Sequence, residues 1–177
     1  MFVSIEKVIK YIRKMESIKR YRWLLLSALV VLAGLFFFYR LYHRDVKALT
    51  DFLAASEKFD KAVSDFSTRL LAQNLEVPPP ADDPERKAEE ALAKLEAKAS
   101  IRLSSLIKND AELMKLTLEI ARLSGKELAA LRGYKGAVLD KNADLAGLAK
   151  ELADLTRQRQ TTYARFRELA GLRPVEV

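Results

Sequence analysis

A run of 17 residues without a charge, Trp23 to Tyr39 (WLLLSALVVLAGLFFFY), constrains what this chain can fold into more than any other feature. As a helix it covers about 25 Å at about 1.5 Å per residue, and Leu41 and Tyr42 lengthen it to about 20 residues once Arg40 snorkels to the interface. That matches the hydrocarbon core of a bilayer. Trp23 at one end and Tyr39 and Tyr42 at the other stand where aromatic rings prefer the headgroup level. A secretory signal peptide also places a basic leader before an apolar run. Here, however, the leader has 22 residues, the run exceeds a usual h-region and no A-x-A-like site follows. The expectation is an uncleaved transmembrane helix over 23–42.

Charge gives it a direction. The formal net charge is +7, but residues 1–22 hold seven basic side chains against two acidic ones, and 24 basic and 22 acidic residues are left for everything else. Basicity therefore belongs to the membrane surface, and the large domain has no interleaved basic and aromatic patch, which argues against a nucleic-acid partner. After the run, Asp45 and Asp51 partly offset Arg40, Arg44 and Lys47. By the positive-inside rule the N-terminus is cytoplasmic and the rest lies outside, in the periplasm if the membrane is a Gram-negative cell inner membrane. No Asp, Glu, His, Lys or Arg interrupts the run, and Ser27 is its one small polar side chain. A helix of this kind does not relay protons or ions by itself, and no GxxxG-like pair favours close self-association.

Residues 1–22 read as a basic amphipathic cytoplasmic segment. Phe2, Ile5, Val8, Ile9, Ile12, Met15 and Ile18 fall on one side of a helical wheel, and Glu6, Lys7, Lys10, Arg13, Lys14 and Ser17 on the other. Two placements suit such a helix: flat in the interface with Lys7, Lys10, Arg13 and Lys14 among anionic headgroups, or docked on a partner subunit. Beyond the span, Phe52, Phe59 and Phe66 recur every seven residues, with Ala55, Val63 and Leu70 between them. That spacing predicts a packing seam on an extramembrane helix over 43–76, continuous with the anchor.

Val77 to Asp83 (VPPPADD) is a proline-rich linker, since three prolines cannot continue a helix. Asp83 is suited to cap a new helix with Pro84 at its first position. Over 84–177 the spacing of Leu92, Leu95, Ala99, Leu106, Leu113, Leu116, Ile120 and Leu123, then of Leu145, Leu148, Leu152, Leu155, Phe166 and Leu169, predicts two coiled-coil-like arms of an antiparallel hairpin. The polar residues Arg102, Asn109, Arg159 and Thr162 interrupt these seams and read as register devices. Gly133 to Gly136 is the favoured turn, with Ser124-Gly125 the alternative. A turn there pairs Asp110 with Arg159, Glu112 with Arg157, Lys115 with Asp154 and Glu119 with Lys150. The fold class expected is all-α, with the 43–76 helix free to join the hairpin as a three-helix bundle.

Chemistry is sparse. There is no cysteine and one histidine, His43, too few for a typical zinc site, and no phosphate-cradling loop, nucleophile elbow or dinucleotide fingerprint is present. Neither catalysis, a cofactor nor a small-molecule substrate is expected. What remains is a partnership with the bilayer and with proteins. The leading expectation is a single-pass scaffold protein of the cell envelope that assembles with itself or with other subunits. The alternative is an accessory subunit of a larger membrane complex for secretion, transport or electron transfer, docked through its N-terminal helix and anchor.

Overall fold

Leu and Ala, both strong helix formers, are the most abundant residues of the chain, and helix is what they form. The computed structural model describes residues 5–71, 83–139 and 144–171, with side chains over 21–70, 83–138 and 144–171. Four α-helices and no strand occur among the described residues: α1 (Ile5–Leu71), α2 (Pro84–Ala99), α3 (Asp110–Leu139) and α4 (Leu145–Leu169). The linker expected over 77–83 lies outside the described residues except for Asp83. The chain divides into two units, Met1–His43 and Arg44–Val177.

In the first unit the amphipathic segment is not a helix of its own. Gly34 is the only glycine in α1, which contains no proline, so nothing breaks the backbone hydrogen bonding between Ile5 and the apolar run. The Ser27 hydroxyl donates to the Leu24 carbonyl at 2.9 Å, which satisfies it within its own helix. Tyr39 and His43, one turn apart, meet edge to face at 6.0 Å.

The second unit is a four-helix bundle. From Asp45 onward one face of α1 turns inward, and Leu49, Phe52, Ala55, Phe59, Val63, Phe66 and Leu70 are all buried at spacings of three or four residues. Phe52 meets Phe166 of α4 edge to face at 5.2 Å. On α2, Pro84, Ala88, Ala91, Leu95 and Ala99 are buried, and the alanines let its neighbours come close. Asp51 pairs with Lys98, Glu85 with Lys135, Glu112 with Arg165 and Asp60 with Arg159. In the first three pairs a residue early in one helix, or in the bundle part of α1, meets one late in the next, and Asp60 and Arg159 meet midway along α1's bundle part and α4, so the helices alternate up and down around a shared core.

The structure corrects the predicted hairpin in three ways. Its first arm is not continuous: α2 stops at Ala99, and residues 100–109 form an irregular connection before α3. Tertiary partners hold that connection open. The Thr117 hydroxyl donates to the Ala99 carbonyl at 2.8 Å, and the Ser104 backbone N–H donates to Asp45 at 2.8 Å. Asn109 has φ 61°, a left-handed conformation that asparagine tolerates, and its carbonyl accepts from Leu113 N–H at 2.9 Å to start α3. Leu106, expected in the seam, sits in this connection and is 39% exposed, because the break removes it from the helical phase of Leu113.

The turn is also displaced. Gly133 and Gly136 lie inside α3. Arg132 and Lys135 reach Glu85 at the start of α2, at 2.9 and 2.5 Å, and Leu131 and Ala137 are buried, so this stretch is held as helix from both sides. α3 runs on to Leu139 and α4 starts at Leu145, where Asp144 caps it by accepting from Gly147 N–H at 2.9 Å. Gly171, with φ 67°, is the glycine that does end a helix in the left-handed conformation. The later turn shifts the register: Glu112 pairs with Arg165 rather than Arg157, about two helical turns away. Finally, the extra helix makes the bundle four-membered rather than three-membered.

Truncating the aromatic seam should loosen the whole bundle. Phe52→Ala is expected to cost about 3–5 kcal/mol, read by hydrogen exchange in detergent as lost amide protection in α2, α3 and α4. Unchanged protection there would mean that the phenylalanine stripe does not hold the bundle together.

Candidate functional site

Two features of the chain stand apart from ordinary core packing: the exposed apolar stretch of α1 and the charged groups buried in the bundle. In the first unit every large apolar side chain from Trp23 to Tyr42 other than Leu41 is more than half exposed, with Trp23 at 73% and Tyr39 at 65%. One helix among the described residues is long and apolar enough to cross a membrane, and it is this one. Tyr42 stands at 53% exposure near the end of the stretch. Lys7, Lys10, Arg13 and Lys14 belong to α1, and their side chains lie outside those described.

Inside the bundle, Arg159 of α4 is the central cation. Its Nε donates to Glu127 of α3 at 2.5 Å, and its Nη1 reaches Asp60 of α1. Arg159 and Glu127 are almost fully buried, with side chains 6% and 3% exposed, while Asp60 is more open. The Thr156 hydroxyl donates to the other Glu127 oxygen at 2.7 Å, and the Arg159 guanidinium lies 5.4 Å from the centre of the Phe59 ring. Burial disfavours the charge on Arg159, but Glu127 and Asp60 outweigh it and raise its pKa above the ordinary arginine value. Asp60 is pushed the other way. Burial raises its carboxyl above the usual range, Arg159 offsets this only in part, and the neighbouring Glu127 and Glu57 add to the rise.

Asp45 is the second buried carboxylate. It accepts from both the hydroxyl and the backbone N–H of Ser104, and Arg44 pairs with it at 2.9 Å. Burial would raise its pKa, but these hydrogen bonds and the Arg44 charge prevail and hold it below the usual carboxylate range. At the other end of the bundle Glu85 takes Arg132 and Lys135 together, and Arg132 also reaches Glu89.

Of the expected seam residues, Phe52, Phe59, Phe66, Leu113, Ile120 and Phe166 are buried in the bundle. Leu148, Leu152 and Leu155 are half-buried, because the first half of α4 packs less deeply than the second. Among the polar interruptions, Arg159 enters the core, Arg102 and Asn109 are exposed, and Thr162 bonds back to the Gln158 carbonyl at 2.9 Å. Sequence reasoning missed Asp45 and Glu127. The signal was there: Asp45 stands one heptad before Phe52, and Glu127 one heptad after Ile120, so each occupies an apolar stripe and needs a buried donor.

Among the described residues, three shallow grooves run between helices. One of about 480 Å³ lies between α1 and α2, and one of about 490 Å³ between α1, α3 and the first half of α4; the third, about 350 Å³, adjoins Asp60 and Arg159. No group of three or more His, Cys, Asp or Glu among the described residues is placed to hold a metal ion. The chain matches no known family model, no curated protein and no solved structure.

Breaking the buried pair should be far more damaging than removing the outer charge. Glu127→Ala leaves Arg159 buried with only the more open Asp60, at a cost of about 3–5 kcal/mol, whereas Asp60→Asn keeps an acceptor and should match or exceed the parent's stability near neutral pH. Equal losses in the two variants would refute this ranking.

The pH dependence follows from the signs. A lowered folded pKa makes the Asp45 contribution complete above the ordinary carboxylate range and lost as pH falls through the folded value. Asp60, with a raised folded pKa, favours the fold in acid and opposes it as pH rises through that value. Denaturation midpoints measured from about pH 7 to about pH 3 should fall less steeply in Asp45→Asn than in the parent. An identical acid slope would show that Asp45 is not linked to folding.

Proposed function

We propose that this chain is a single-pass, membrane-anchored helical scaffold that assembles with itself or with other proteins of the cell envelope, and that it performs no catalysis. One observation carries the reading. Along α1, the apolar side chains from Trp23 to Tyr39 are exposed, while the phenylalanines from Phe52 to Phe66 are wholly within a bundle. Fully burying one such large side chain is worth about 1.5–3 kcal/mol, so an uncovered run of this length in water carries a large penalty that lipid removes. Its length and freedom from charge, and the aromatic residues at its ends, suit a bilayer. The basic leader supports a cytoplasmic N-terminus, with the bundle outside, periplasmic if the membrane is a Gram-negative inner membrane. Buried ion pairs that lock the bundle into one arrangement, and grooves without a reactive constellation, suit a rigid interaction module.

Full-length protein tagged at the C-terminus should resist alkaline carbonate extraction and come out of mild detergent with further copies of itself or with other envelope proteins. Val31→Arg, which costs about 2.5–3.5 kcal/mol of insertion at the helix centre, should move protein into the carbonate supernatant. Recovery of the parent as a soluble monomer would end the proposal. Isolation in fixed ratio with integral subunits would instead assign it the role of accessory subunit. Orientation is read with an impermeant thiol reagent on Ser4→Cys and Ser105→Cys. Ser105 is an exposed position in the bundle and serves better than Ser124, which is buried. Labelling of Ser105→Cys in intact cells is expected; preferential labelling of Ser4→Cys would reverse the topology.

A further inference from the structure

The groove between α1 and α2 differs from the other two in its chemistry. Its floor is made of alanines, with Ala54 and Ala62 from α1 and Ala91 from α2, so no bulky side chain fills it. Lysines line it too, Lys58 on α1 and Lys87, Lys94 and Lys98 on α2, together with two carboxylates, Asp51 and Glu90. Both carboxylates are engaged, Asp51 with Lys98 at 3.0 Å and Glu90 with Arg86 at 3.3 Å. Lys58 on α1 and Lys94 on α2 both line the groove, are exposed, and make no ion pair among the described residues. Elsewhere the bundle pairs its helices through complementary charge, as Glu85 does with Arg132 and Lys135. This groove has one such pair, Asp51 with Lys98, and leaves Lys58 and Lys94 as positive charge without an ion pair on either side of a small-residue floor.

The geometry points to this groove as the docking site for an acidic amphipathic helix of a partner protein. On α1 the lining positions 51, 54, 55, 58 and 62 and on α2 the positions 87, 90, 91, 94 and 98 follow the same three- and four-residue spacing, so two parallel-sided ridges bound a channel into which the ridge of a third helix fits. The alanine floor admits a close backbone approach, which favours small and medium apolar residues on the inward face of the incoming helix. Lys58 and Lys94 then meet glutamate or aspartate on its two flanks. Charge complementarity sets the partner's sign, and the channel's two-helix walls set its secondary structure. This inference rests on the scaffold reading and gives that scaffold a specific partner surface.

The test uses the full chain in uncharged detergent micelles and a fluorescent peptide of about three heptads, with alanine and leucine at a and d and glutamate at e and g. Saturable binding is expected, weakened about tenfold in the double variant K58E/K94E and weakened again by salt. A peptide with lysine in place of glutamate should prefer the double variant over the parent. Ala54→Trp, which fills the floor without changing charge, should block the glutamate peptide; circular dichroism confirms that each variant keeps its helices. The proposal is overturned if the parent does not bind the glutamate peptide saturably or binds both peptides alike. It is also overturned if the double variant binds the glutamate peptide as the parent does. Sedimentation of the chain alone distinguishes one further occupant: self-association lost in K58E/K94E would assign the groove to a second copy and overturn the acidic-partner assignment. Envelope partners retained by K58E/K94E after mild extraction would refute the groove while leaving the scaffold reading intact.

Discussion

Phe52, Phe59 and Phe66 stand one heptad apart on α1, and the bundle is organised around their burial. Phe52 packs on Phe166 of α4, Phe59 lies under the Arg159 guanidinium, and the Phe66 ring is 5.9 Å from the Lys135 ammonium of α3. Each ring thus meets a different level of the opposing helices. Three aromatic side chains of this size bury several hundred square ångströms in total. The same helix continues back into the exposed apolar stretch, so the element that forms the core of the bundle also carries the segment long and apolar enough to cross a membrane.

Apolar burial alone would let the helices slide by a turn, and the charged groups in the core remove that freedom. Arg159 must find Glu127, because an unpaired guanidinium at that depth is costly, and Thr156 uses the remaining oxygen of the same carboxylate. Glu85 performs the equivalent task between α2 and α3, where Arg132 and Lys135 converge on it. Asp45 does so for the connection between those helices by holding Ser104. Each contact joins residues far apart in the chain, so each selects one arrangement among several that would bury similar apolar area. Their contribution is to specificity of packing more than to net stability.

A bundle so locked has fixed outer grooves, and fixed grooves suit recognition of another helix better than a mobile surface does. The proposed membrane anchoring would add a second constraint. A module tethered in that way would meet partners in the same membrane at a high effective concentration, so individually modest contacts would suffice.

The sequence by itself determined the helical class, the apolar stretch from Trp23 to Tyr39, the inward stripe of Phe52, Phe59 and Phe66, and the start of α2 at Asp83-Pro84. All of these are local: composition, period and a cap act within a few residues of where they are read. The position of the turn and the break after Ala99 were decided only by tertiary structure. Glycine permits a turn at Gly133 to Gly136 but does not require one, and ion pairs to Glu85, about 50 residues away, keep that stretch helical. Likewise Leu106 has the spacing of a seam residue, yet Asp45 and Thr117 satisfy the backbone of the neighbouring connection and take it out of helical phase. Heptad spacing shows which face of a helix is apolar. It does not carry the long-range hydrogen bonds and charges that determine where that helix ends.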